Sequence, residues 1–303
     1  MPKAREKSVM RWREMRDHRQ TQCKVILYSL FVTHKKWENA PLLQVTALVR
    51  FDVVLSLQDQ YSAIQNNLRR HGFIGAEQFQ RQTLVQQMTP QGMRVGQQSE
   101  MFWNYFDPKI EKVFTISDKQ LSYATSAYES IETFLKEFEA GLLAIKEVLP
   151  DGVLIRHISL RYTDWMIGSS NLPLNEQVNS LLLGFELSGK MGSEVLSVAN
   201  DDSGLIDITF RASSGTLSLN ALQEFADQKP LIPRLNQPED ELLETNQSLV
   251  INIRVAQEDV LQRGHQPPML EDIPAKLVEF HNYASNAFKD VLTDAGFARY
   301  RGY

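Results

Sequence analysis

Residues 153–166 read VLIRHISLRYTDWM, a strand-like stretch that carries Arg156, His157, Arg161, Tyr162 and Trp165. At a period of two, Val153, Ile155, His157, Ser159, Arg161 and Thr163 fall on one face. Leu154, Arg156, Ile158, Leu160, Tyr162 and Asp164 fall on the other, which is apolar through its middle and should pack under helices. The first face sets His157 and Arg161 side by side, two positions apart along it. An imidazole beside a guanidinium can bind an anion, or serve as a general acid–base next to a cation that stabilises developing negative charge. The same side chains can instead pair across the sheet with Asp or Glu and cover a half-exposed surface. Tyr162 reads as a core aromatic with its hydroxyl at an edge.

Carboxylates give the second arrangement. NDDSGLIDITF places Asp201 and Asp202 in a turn and Asp207 on the strand beyond it, three oxygen donors suited to a hard cation such as magnesium. Asp-Asp-Ser-Gly is also ordinary turn chemistry, and Asp207 alternates with Ile206 and Ile208 on an outward face. Six histidines, at 18, 34, 71, 157, 265 and 281, show no H-x-H or H-x-x-x-H spacing, and none neighbours the lone Cys23. A zinc site would have to be assembled from distant segments. G-x-G-x-x-G, G-x-x-x-x-G-K-[ST] and G-x-S-x-G are all absent. No cofactor is expected.

The elements that must position these residues follow from periodicity. NAPLLQVTALVRFDV predicts a strand with Leu43, Val45, Ala47, Val49 and Phe51 on one face. SLQDQYSAIQNNLRRHG predicts a helix with Ser56 as cap, Leu57, Tyr61, Ile64 and Leu68 as stripe, Arg69 and Arg70 in the last turn, and Gly72 as stop. FQRQTLVQQM, EMFWNYF, EKVFTIS and KQLSYAT read as short strands, with a turn at Ser117–Lys119. A second helix carries Ile131, Phe134, Leu135, Phe138, Leu142, Ile145 and Leu149, capped by Ser130. SLLLGFEL, SEVLSVA, LIDITFR and SLVINIRV are further strand candidates, with ANDDSG as a hairpin turn. DQKPLIPRLNQPED is loop-like, and a last helix runs from a cap at Asp272 with Ile273, Leu277, Phe280, Ala284, Ala287, Phe288 and Val291 as its stripe.

This order predicts an α+β fold: a mostly antiparallel sheet in two interlocked halves, helices packed on one face, and a long C-terminal helix closing the core. Residues 37–166 form the first half and residues 167–303 the strand-rich second half. Residues 1–36 read as a basic, flexible extension. They hold ten Lys/Arg against three Asp/Glu, a net of +7; the whole chain is −5, so the remainder carries −12. An acidic body argues against broad phosphate-backbone binding. The run VILYSLFV lacks a cleavage pattern behind it and is far too short to span a bilayer, so neither a leader nor a membrane segment is expected. One cysteine precludes an internal disulfide, and the cytoplasm is the expected compartment.

Four segments, NAPLLQV, IRHISLRYTDWM, LIDITF (or LVINIRV) and LVEFHNYASNAFKDVLTDAG, resemble a sporadically distributed family of uncharacterised prokaryotic proteins. The resemblance covers roughly residues 37–297 and implies an opening strand, a central strand with an Arg-Tyr pair and a closing helix. Thr163-Asp164 and the basic start depart from the pattern. The family brings no activity; it implies an accessory, defence-related setting. The leading expectation is a non-enzymatic binding or regulatory protein acting on a protein partner or a second copy of itself. Nucleic-acid binding is the first alternative, through the basic arm with Arg156, Arg161, Tyr162, Trp165, Arg69 and Arg70. A metal-independent nuclease or transferase using His157 with Arg161 is the second.

Overall fold

The computed structural model describes residues 40–89, 92–148, 153–183, 186–187, 190–191, 193–200, 207–215, 248–258 and 268–301. The expected basic extension and the proline-rich loop lie outside the described residues. The strands are β1 (Leu42–Phe51), β2 (Gly75–Thr89), β3 (Gly92–Phe106), β4 (Lys112–Ser117), β5 (Gln120–Thr125) and β6 (Ile155–Ile167). They continue as β7 (Glu186–Leu187), β8 (Lys190–Met191), β9 (Ser193–Asn200), β10 (Asp207–Gly215) and β11 (Ser248–Glu258). Nine of them form one sheet in the order β2-β3-β4-β5-β1-β6-β11-β10-β9, every pairing antiparallel. The α+β expectation holds. β6, from the first half of the chain, is hydrogen-bonded to β1 on one side and to β11 of the second half on the other.

Helices lie against one face of this sheet: α1 (Tyr61–Arg70), α2 (Ile131–Lys146) and α4 (Ile273–Val291), with the short α3 (Leu174–Gln177) and α5 (Asp294–Arg301) docked on each other. The alternation read from the sequence decides which face they cover. Val45, Ala47 and Val49 of β1, Ile158 and Leu160 of β6, and Ile251, Ile253 and Val255 of β11 are fully buried and belong to one core cluster. α4 adds Ile273, Leu277, Phe280 and Ala284 to it, and α2 adds Ile131, Phe134, Phe138 and Ile145. Ser130 caps α2 as expected, its hydroxyl accepting from the Thr133 amide at 3.2 Å.

Several boundaries differ from the sequence reading. Ser56 does not cap a helix: Leu55–Gln60 is a 3₁₀ turn that feeds α1, while Leu57, Tyr61, Ile64 and Leu68 are buried as the stripe requires. Gly72 ends that segment at φ +92°, a conformation glycine adopts without a Cβ penalty. Asp272 does not cap α4 with its side chain; its carboxylate accepts from the Met269 amide at 2.9 Å instead. SLLLGFEL is not a single strand, because Ser180–Leu182 turn as a 3₁₀ helix before the two-residue β7. Short apolar runs satisfy either geometry. β2 and β3 are fifteen residues each, much longer than predicted, because their glutamine-rich stretches lack the apolar alternation that marks a strand.

Candidate polar-face cation cluster

β6 is the central strand of the candidate site, and its alternation settles which residues meet. Ile158, Leu160, Tyr162 and Met166 face the helices and are buried. His157, Ser159, Arg161, Thr163 and Trp165 face the opposite, polar side. Cross-strand partners in an antiparallel sheet share a face, so the register assembles this side from three strands. Arg50 of β1 lies directly opposite His157, and Arg254 of β11 directly opposite Arg161. Between these two rows lie Leu48, Ser159 and Ala256, again in direct register. Four residues of strand separate the rows, about 13 Å. Ser159 and Ala256 are short and buried, and the row continues in register to Asp207 of β10.

Like charges directly opposite one another weaken a sheet, and here Arg161 faces Arg254, while the row of Arg50 and His157 ends at Glu258 of β11. The consequence shows in His157, which is 7% exposed. Burial first, then the positive charges of Arg50, Arg254 and Arg161, push its imidazole down to about 3. It is therefore neutral near pH 7. A neutral imidazole offers one N–H donor and one acceptor. As a general base it is poorly matched to neutral pH. Arg161 and Arg254 are half-buried and Arg50 is exposed, so the cluster opens to solvent on the β1 side.

The rest of this face is a network of hydroxyls and amides. Thr163 donates to Asn252 at 2.7 Å, Gln44 to Thr46 at 2.9 Å, and Thr115 to Asn104 at 2.6 Å. Trp165, on the same face further along β6, has a buried indole N–H with no hydrogen-bond partner among the described residues.

The other sequence candidates are dispersed. Arg156 sits at the bulge where the β1–β6 register passes from Arg50↔His157 to Phe51↔Ile155, and forms an ion pair with Asp52 at 2.6 Å. Tyr162 is buried, its hydroxyl 2.6 Å from Nδ1 of His281 on α4 and its ring edge-on to Tyr128. Burial raises its hydroxyl well above the usual tyrosine range. Arg69 and Arg70 are exposed at the end of α1, on the helix-covered side of the sheet. Asp201 and Asp202 lie outside the described residues, and the backbone register sets Asp207 opposite Asn200 and Ala256. Among the described residues no group of three His, Cys, Asp or Glu is placed to hold a metal ion. No described helix is long and apolar enough to cross a membrane.

Sequence reasoning found His157 and Arg161 but not Arg254, the nearest neighbour of Arg161 across the sheet. Its one signal is the arginine that interrupts LVINIRV, which acquires meaning only once β11 is paired with β6. No family model, curated protein or solved structure matches the chain.

Proposed function

We propose that the protein is a non-catalytic binding protein that captures a carboxylate-bearing segment of a partner protein on the polar face of its sheet. The setting would be the prokaryotic accessory, defence-related one that its resemblance implies. The observation that carries this reading is the pairing of Arg161 with Arg254, and of Arg50 with His157, on either side of the short, buried Ser159 and Ala256. Guanidinium groups match carboxylates in bidentate fashion, and the neutral imidazole adds a donor without adding a charge. The −12 carried from residue 37 onward disfavours an extended polyphosphate and favours a compact anionic group. The nucleic-acid alternative would draw on Arg50, Arg156, Arg161, Tyr162, Trp165, Arg69 and Arg70; Arg50, Arg161 and Trp165 share the polar face, whereas Tyr162 is buried beneath α4 and Arg69 and Arg70 lie at the end of α1.

The test is fluorescence anisotropy of a labelled glutamate-rich peptide and of a labelled single-stranded oligonucleotide, each titrated with the protein and with the Arg161→Met and Arg254→Met variants. The expected result is peptide binding that weakens about tenfold or more in each variant, the scale of one lost charge-assisted hydrogen-bonded contact. Tight oligonucleotide binding with no peptide binding would reverse the assignment. Peptide binding that neither variant changes would remove the site.

A further inference from the structure

β2 forms one edge of the nine-stranded sheet, β9 the other, and among the described residues no strand pairs along the outer side of β2. Such an edge presents a row of backbone N–H and C=O groups that can template another strand. Proteins guard it with short strands, charged side chains (lysine above all), proline or bulges. β2 carries Glu77 and Arg81 but none of the others. It is fifteen residues long, contains neither Lys nor Pro, and keeps unbroken register with β3 from Gly75↔Phe106 to Thr89↔Gly92. It is also open on both faces: Ala76, Glu77, Gln78, Gln80, Arg81 and Gln82 are all exposed. β4 supports β3 only over Trp103–Phe106, so beyond that point the hairpin continues as a two-stranded ribbon. Two strands alone are marginal in water.

The residues along the edge identify the occupant. Read in reverse about Phe79, the segment from Gly75 to Thr83 is complementary to itself. An antiparallel partner centred on Phe79 sets Glu77 opposite Arg81 of the partner subunit, and Arg81 opposite Glu77 of the partner subunit. Gln78 and Gln80 meet in the same reciprocal way. These opposite-charge, cross-strand pairs stabilise antiparallel strands. Phe79 lies on the symmetry axis, already stacked on Phe102 with centroids 5.3 Å apart, and Arg81 lies over the same Phe102 ring at 5.1 Å. A two-fold interface requires this self-complementarity; an unrelated strand does not. We propose that β2 of one copy pairs antiparallel with β2 of a second copy across a two-fold axis at Phe79, giving a homodimer whose sheet runs through both subunits.

Analytical ultracentrifugation across a micromolar concentration series tests this with the full chain and its Glu77→Arg, Arg81→Glu and doubly exchanged variants. Each single exchange places two like-charge pairs in the interface and should weaken dimerisation about tenfold or more. The double exchange restores both intersubunit pairs and should recover most of the affinity that the singles lose, short of the parent because Glu at position 81 still faces Glu100 of its own hairpin. A parent chain that stays monomeric throughout, or a dimer indifferent to the single exchanges, overturns the proposal, as does a double variant no better than the singles. A second measurement is independent of the charges. In a Cys23→Ser background, Phe79→Cys should form an intersubunit disulfide on mild oxidation, since directly opposite residues of paired strands approach within about 5.5 Å. Gln82→Cys, off the axis, should not; equal cross-linking of the two also overturns the register.

Discussion

His157 makes the electrostatics of the polar face measurable. Its folded-state value near 3 lies below the ordinary 6.5, so the unfolded chain takes up a proton in that interval and the folded chain does not. The unfolded state then binds more protons, and stability rises with pH across the window. The contribution of this residue is fully present above pH 6.5 and is lost as pH falls towards 3, by roughly 1.4 kcal/mol per pH unit. In urea titrations at pH 7 and pH 4.5, His157→Gln should therefore lose less stability on acidification than the parent chain. An equal loss in both would mean that the imidazole is not held neutral. An anion bound between the two arginine rows would raise the imidazole value again, a shift that NMR titration of His157 can follow. At this scale the sequence was half legible. His157 and Arg161 share a face by simple alternation, but Arg50 and Arg254 join them only through register, which no local pattern specifies. Tyr162 was legible as a core aromatic; its hydrogen bond to His281, 119 residues away, was not.

Elements carry the next set of constraints, and α2 shows how a small residue can be required for reasons that helix propensity opposes. Gly141 lies on the buried side of α2, where an added Cβ would come within 2.2 Å of Cε1 of Phe114 on β4. The Phe114 ring is itself fixed between Phe73 and Tyr123, with centroids 4.7 and 4.6 Å away, and has no room to retreat. Alanine would gain about 1 kcal/mol in helix propensity, but overpacking a fixed ring costs about 1–3 kcal/mol or more. Gly141→Ala should therefore lower the denaturation midpoint. Ser130→Ala should also lower it, by about 1 kcal/mol, through loss of the cap. If Gly141→Ala were stabilising, the close approach of α2 to β4 would be wrong. Helix stripes were the most readable feature of the chain, because burial at a period of 3.6 leaves a pattern in residue types. The β2–β3 ribbon was the least readable, since a two-sided exposed strand needs no apolar alternation.

At the scale of the molecule, β6 joins what the sequence divides. Residues 37–166 and 167–303 look like two units, yet the β6–β11 pairing runs through eleven consecutive residue pairs from Ile167↔Ser248 to His157↔Glu258. α2 from the first stretch and α4 from the second pack against each other and on the same sheet. Phe138 and Leu277, one from each helix, are wholly buried in a single hydrophobic cluster. A continuous core unfolds as one cooperative unit, whereas two cores joined by a linker do not. Phe138→Ala should cost about 3–5 kcal/mol and Leu277→Ala about 2–5 kcal/mol. The discriminating readout is amide hydrogen exchange. Leu277→Ala sits on α4, but it should reduce protection of the slowest amides in β5 by the same factor as those in β11, and Phe138→Ala should do the reverse equally. Loss of protection confined to the half that carries the substitution would show two independent units. β6 would then be a seam, and the cation cluster spanning β1, β6 and β11 would open whenever either half unfolded.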